Sequence, residues 1–270
     1  MEGRASSRLA AVGLGSGYAG QPISRDLSFA LPDRAFTAVI GPNGCGKSTL
    51  LRTLARIAPA QEGAVTLDGA TIASYPTREV ARRLGLLPQA PVAPEGLTVF
   101  DLAARGRFPH RRLFGRWSEA DARATAAALA AAGLSELADR PLDELSGGQR
   151  QRAWLAMALA QETPLLLMDE PTTFLDIAHQ IEMLELFREL VAAGGRTVVA
   201  VLHDLNHACR YADHLVVMRA GAILAAGPPR EIVTEGLIAR TFGLDCVVIA
   251  DPTCGAPLVL PVPRPPARAG

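Results

Sequence analysis

The chain has 270 residues, 49% of them hydrophobic, enough to bury one large core or two smaller ones. Lysine plus arginine matches aspartate plus glutamate at 27 each, which argues against nucleic-acid binding by bulk charge and against a polybasic membrane anchor. No uncharged apolar run approaches the roughly 18–20 residues that cross a bilayer, and the N-terminal MEGRASSRLAAVG lacks the apolar centre of a signal peptide.

In chain order, the first 35 residues alternate polar and apolar, with RDLSFAL at 25–31 and a Pro32-Asp33 turn, and predict antiparallel strands. FTAVIG (36–41) reads as an apolar strand feeding a Gly-rich loop, followed by helical periodicity in KSTLLRTLARI (47–57). GAVTLDGATI (63–72) reads as strand, Asp-Gly turn and short strand. RLGLLPQ (83–89) is a short strand ending in Gln89. From about residue 90 to 158 the strand signal fades, and helices are expected at 97–106, 118–133 and 152–162. The second opens with Ser118 and Asp121 at capping-box spacing. Its Ala-rich stretch at 124–134 reads as a buried helix face. Strands resume at PLLLMDE (164–170), RTVVAVLHD (196–204) and HLVVMRAG (214–221). Alternation with helices implies βαβ units and a mostly parallel sheet. The Pro/Arg-rich end of the tail is expected to be disordered.

Cys45, Cys209, Cys246 and Cys254 form no CxxC pair, so neither a zinc site nor a redox motif is signalled. Without an export signal they suit a reducing cytosol.

Chemistry concentrates at strand ends. GPNGCGKS (41–48) fits GxxxxGK[ST] between a strand and a helix. The loop from Gly41 through Pro42, Asn43, Gly44, Cys45 and Gly46 would cradle phosphates with its backbone N–H groups, which Pro42 alone lacks, and the following helix would add its dipole. Lys47 would reach the β/γ-phosphates and the Ser48 hydroxyl would ligate Mg²⁺; Thr49 follows in the same turn. Lys47 is the only lysine, the other 26 of the 27 cationic residues being arginine, so its presence here implies a specific task. Cys45 is a small filler or a reactive thiol. In LLLMDEP (165–171) two acids end an apolar strand, an arrangement that costs energy unless compensated. Asp169 would hold the Mg²⁺ shell, and Glu170 would polarise the water attacking a γ-phosphate. Gln89 orients that water, contacts Mg²⁺, or is a solvated loop residue. His203 bonds a γ-phosphate or is structural. Tyr18 stacks on a base or is a partly buried tyrosine. His110, His179, His207 and His214 lack metal-ligand spacing. Ser146, Gly147, Gly148 and Gln149 in LSGGQRQR (145–152) offer a second anion site at a helix N-terminus. Its place after a helical insert suggests that it closes over another molecule's nucleotide.

GPNGCGKST, Gln89, LSGGQ, LLLMDEP, the FLD at 174–176 and His203, in this order, resemble the ATP-binding subunit of ABC transporters. The resemblance implies an α/β fold: a P-loop NTPase core with a mostly parallel sheet, an N-terminal antiparallel β subdomain and an inserted helical subdomain. It covers residues 9–250, with the helical part at about 90–158 and a C-terminal extension at 251–270. It implies a head-to-tail homodimer holding two ATP and Mg²⁺, each ATP between one P-loop and the opposite LSGGQ strip. On that pattern Tyr18 stacks on adenine, Ser48, Gln89 and Asp169 hold Mg²⁺, Glu170 and His203 act on the γ-phosphate, and Asp176 couples the two sites. It also implies membrane permease subunits docked near Gln89 and the helical subdomain, an indirect substrate-binding protein, no nucleic acid, and a peripheral position on the cytoplasmic face of the inner membrane. GRFPHRRLFGRWSEAD (106–121), the stretch 155–187 and VLHDLNHACRYADHLVVMRAG (201–221) look like ATPases of ferric-siderophore importers, with haem and cobalamin importers as close relatives. A soluble P-loop kinase or GTPase would leave LSGGQ unemployed. The GTPase base-reading motif also needs a second lysine. Soluble repair or translation cassettes carry coiled coils or two cassettes per chain.

Overall fold

Alternating apolar residues make β1 (Leu9–Tyr18) and β2 (Gln21–Leu31) an antiparallel pair with Leu9, Leu14, Leu27 and Leu31 turned inward and buried. The computed structural model describes residues 7–18, 21–89, 92–111, 116–173 and 175–263. β3 (Phe36–Ile40) is buried throughout and leads through the Gly-rich loop into α1 (Lys47–Leu54). The helix expected to reach residue 57 ends earlier, because Arg56 turns to φ 59°. β4 (Glu62–Leu67) and β5 (Ala70–Thr71) are joined by Asp68 and Gly69, both at positive φ (49° and 85°), as a two-residue hairpin turn requires. These strands form a four-stranded sheet in the order β2-β1-β4-β5.

α2 (Thr77–Arg83) and β6 (Leu84–Leu87) precede the helical insert of α3 (Val99–Arg105), α4 (Glu119–Ala131) and α5 (Gly147–Ala160). Capping boxes open α3 at Thr98/Asp101 and α4 at Ser118/Asp121. The helix expected from 152 starts five residues sooner. Ser146 and Gln149 make a third capping box, and this offsets the poor helix propensity of Gly147 and Gly148. β7 (Leu165–Met168), α6 (Ile177–Ala192), β8 (Thr197–Val201), α7 (Leu205–Tyr211), β9 (His214–Arg219) and β10 (Ala222–Gly227) complete the core. The main sheet has the order β10-β9-β3-β8-β7-β6 and is parallel except at β10.

Helices and sheet cover it on both faces. Phe36, Ala38, Val198, Ala200, Leu166 and Met168 face one hydrophobic cluster; Val39, Val199, Val201, Leu165 and Leu167 face the other. Burial on both faces explains the near-continuous apolar strands. No helix among the described residues is long and apolar enough to cross a membrane.

α8 (Pro229–Ile232) and α9 (Glu235–Phe242) lead to a hairpin of β11 (Cys246–Ala250) and β12 (Pro257–Pro261). The expected division at 250/251 falls in its turn, and the Pro/Arg-rich tip (264–270) lies outside the described residues. Asp251 in that turn accepts from Thr253 N and Oγ1 (2.8 and 2.7 Å) and from Arg210 Nε (3.0 Å). The Thr253 and Arg210 bonds hold its carboxyl well below the usual carboxylate range.

One ion cluster, buried at Arg107 and Asp121, pins the helical insert. Arg107, 4% exposed, donates from Nε to Asp121 Oδ1 (3.0 Å) and from Nη1 to Glu162 Oε2 (2.6 Å) and Ala160 O (2.7 Å). It thus joins the turn after α3, the start of α4 and the end of α5. Arg107→Ala leaves Asp121 buried without its cation and is expected to cost about 3–5 kcal/mol in urea unfolding, from the general loss on breaking a buried pair. Asp251 has a depressed folded pKa, so its contribution is present above about pH 4, the ordinary carboxylate value, and is lost as pH falls below it. Asp251→Asn should therefore flatten the acid limb of the stability curve.

Candidate functional site

Parallel β3, β8, β7 and β6 are neighbours, so their C-terminal ends bring the P-loop, His203, Asp169-Glu170 and Gln89 to one edge. Ligands bind at this edge of open α/β sheets. The loop backs onto β9: a Cβ at Gly41 would stand 2.1 Å from Met218 O. Only glycine fits there. Cys45 is 4% exposed and packs into the core as a filler, and its carbonyl accepts from Gly221 N at 3.0 Å. Lys47 is 5% exposed and donates from Nζ to Gly41 O (2.9 Å) and Pro42 O (3.0 Å), so its ammonium lies across the loop.

Ser48 Oγ donates to Asp169 Oδ1 at 2.8 Å. Asp169 is 1% exposed, and its Oδ2 has no hydrogen-bond partner. Burial pushes its carboxyl up, against the opposing pull of the Ser48 bond. Glu170 takes φ 55°, a left-handed backbone that only a well-braced residue keeps. Its Oε1 lies 2.8 Å from His203 Nε2, and its Oε2 accepts from Gln89 Nε2 at 2.5 Å and Thr173 Oγ1 at 3.4 Å. A cavity of about 410 Å³ opens here, lined by Asn43, Gly44, Gly46, Lys47, Ser48, Thr49, Gln89, Glu170, His203 and Ile23.

Ser146, Gly147, Gly148 and Gln149 do not line that cavity. Ser146 N donates to Gln149 Oε1 (3.1 Å) and Gln149 N to Ser146 Oγ (3.2 Å), so the strip forms a preset first turn of α5. Gly147 faces open space, where an added Cβ meets nothing within 4 Å. Tyr18, at the end of β1, is 75% exposed and also stays off the cavity wall. Asp176 caps α6, accepting from His179 N (3.0 Å) and pairing with its Nδ1 (2.8 Å); these two bonds lower its pKa. Phe174 lies outside the described residues.

Sequence reasoning missed Ile23, which closes the cavity from β2, and Thr173. It also missed Gln151, whose buried Nε2 donates to Pro171 O at 3.2 Å and ties α5 to the loop after β7. Gln151 lay within LSGGQRQR. Ile23 carried no signal beyond strand alternation. No group of three metal-binding side chains occurs among the described residues.

Fold and site together define a P-loop nucleoside triphosphatase with a helical insert. Residues 24–173 match the family model described as ABC transporter, and the chain belongs to that family. Its ATP-binding members are ATPases coupled to transport, and this chain is one of them. It is 55% identical over 258 residues to the ferric enterobactin transport ATP-binding protein FepC of Escherichia coli (strain K12), covering 96% of this chain and 95% of FepC. A metal-chelate type ABC transporter solved in an inward-facing conformation superposes with a TM-score of 0.80 at 30% identity, covering 94% and 97% of the two chains. The dimeric cassette MJ0796 bound to ADP and Pi superposes with a TM-score of 0.72 at 26% identity, covering 82% and 98%.

Gly41→Ala should cost on the order of 3 kcal/mol, the upper range for overpacking a tight contact, read as a lower urea midpoint. Nucleotide affinity should fall with it.

Proposed function

We propose that the chain is the ATP-hydrolysing subunit of an importer of ferric-siderophore complexes, working at the cytoplasmic face of the inner membrane with permease partners. The observation that carries this reading is the 55% identity to the ferric enterobactin transport protein along nearly the full length of both chains.

ATP lies on the P-loop, its phosphates held by loop N–H groups and by Lys47 after its ammonium leaves the Gly41 and Pro42 carbonyls. Tyr18 stacks on the adenine. The residues suit a divalent cation: Asp169 Oδ2 is buried without a partner, and Ser48 Oγ sits 2.8 Å from Asp169 Oδ1. Ser48, Gln89 and Asp169 would hold Mg²⁺, which supplies neutralisation of phosphate charge. Glu170 accepts the proton of the attacking water at one carboxylate oxygen. Gln89 and His203, on either side, fix that carboxylate, and His203 exchanges its bond to Glu170 for one to the γ-phosphate.

Ser146, Gly147, Gly148 and Gln149 complete the site of the opposite subunit in a head-to-tail dimer. Their absence from their own chain's cavity supports this arrangement, as does the dimeric MJ0796 cassette. ATP binding closes the dimer, and hydrolysis reopens it. Permease helices dock near Gln89 and the helical subdomain, and that subdomain carries a groove of about 310 Å³ lined by Val92, Pro94, Leu142, Arg150 and Trp154. A substrate-binding protein delivers cargo to the permeases.

Glu170→Gln should keep ATP binding and lower hydrolysis by about 10²–10⁴, the usual share of a general base. Unchanged turnover removes Glu170 from this role. Mixing Lys47→Ala with Ser146→Arg chains should restore one of two composite sites, whereas independently acting chains would stay inactive. Cargo is read from uptake of labelled iron–siderophore in cells lacking and regaining this gene. Competition by haem or cobalamin instead would reassign it.

A further inference from the structure

His203 is followed at once by a short helix that the C-terminal hairpin grips. Upstream of His203, Leu202 N donates to Val39 O at 3.1 Å, within the sheet. Downstream, Asp204 caps α7 by accepting from His207 N at 2.7 Å. α7 has seven residues, about two turns, too short to persist in water without tertiary contacts. Ala208, Cys209 and Tyr211 bury one side of it.

Asn206 and Arg210 are four residues apart, so they share a face, and both engage the hairpin. Asn206 Nδ2 donates to Val259 O at 3.2 Å, and Val259 N donates to Asn206 Oδ1 at 2.8 Å. The side-chain amide thus satisfies both backbone groups of one β12 residue, as a neighbouring strand would. Arg210 grips Asp251 through Nε and Nη2, and Asp251 is 4% exposed. Neither Asn206 nor Arg210 lines the nucleotide cavity.

We propose that Asn206 and Arg210 are positioning residues for hydrolysis: through them the β11–β12 hairpin holds α7, and α7 sets His203 Nε2 against Glu170 Oε1. The proposal rests on reading Glu170 and His203 as the pair that acts at the γ-phosphate. On it, the hairpin is a working part of the ATPase, and motion of the hairpin reaches the site through two side chains.

The test is steady-state ATPase of the full chain, with ATP KM measured in parallel, for wild type, Asn206→Ala, His203→Ala and the double variant. Asn206→Ala should lower kcat about tenfold to a hundredfold, the cost of a misplacement near 1 Å, and leave KM within about twofold. In the His203→Ala background it should cost nothing more, because both losses pass through one group. Wild-type turnover in Asn206→Ala beside a slow His203→Ala overturns the proposal, and so do losses that multiply. Wild-type turnover in His203→Ala overturns the underlying reading of the site as well. Asn206→Asp keeps the acceptor for Val259 N and should fall between wild type and Asn206→Ala. Arg210→Lys should be milder than Arg210→Gln. These variants carry the test if Asn206→Ala does not fold.

Discussion

Glu170 sets the terms for the rest of the fold. It ends an all-apolar strand, is mostly buried, and sits in a left-handed backbone. A carboxylate there without partners would cost several kcal/mol, and such a backbone persists only where its neighbours over-determine it. Its two oxygens are met from opposite sides, by His203 after β8 and by Gln89 after β6. That is possible only if β7 lies between those strands and runs parallel to both. The strand order and the βαβ crossovers follow from where this carboxylate must be. Asp169 obeys the same logic one residue earlier, with Ser48 reaching it from the far side of β8.

The signature strip shows a different economy. Ser146 and Gln149 satisfy each other, so the first turn of α5 forms with no ligand. What remains outward is Gly147, with nothing around it, and the N–H groups of a helix start. A surface built in advance, away from its own cavity, suits a phosphate brought by another molecule. The Arg107 cluster fastens the opposite end of the same helix to α3 and α4. Gln151 links it to the loop that follows Glu170. That single bond is the direct link between α5 and the residues that flank Glu170.

Much of this was legible in sequence because it depends on local chemistry. GPNGCGKS, LLLMDEP and the Ser118/Asp121 cap each state their structure within a few residues. The fully apolar strands likewise report burial on both faces. Three things were not legible, each for a physical reason. The exact start of α5 at Gly147 ran against glycine propensity, and the reciprocal Ser146–Gln149 bonds explain it. Ile23 enters the cavity because a distant hairpin folds over the loop, which strand alternation does not encode. The role of Asn206 and Arg210 depends on β12, whose Pro-flanked LVL reads as tail until β11 is there to pair with it.

Lys47 ends up nearly buried, its ammonium bonded to the loop it belongs to, in a chain whose remaining cations are all arginine. The molecule therefore has one side-chain amine, and it lies across the Gly-rich loop at the cavity. Acylating or carbonyl-bearing metabolites that modify lysines find a single lysine on this protein. Any such adduct on a lysine is an adduct on the Gly-rich loop that lines the cavity. On the proposed function, bound nucleotide would cover that one lysine, and a charged cassette would be chemically quieter than an empty one.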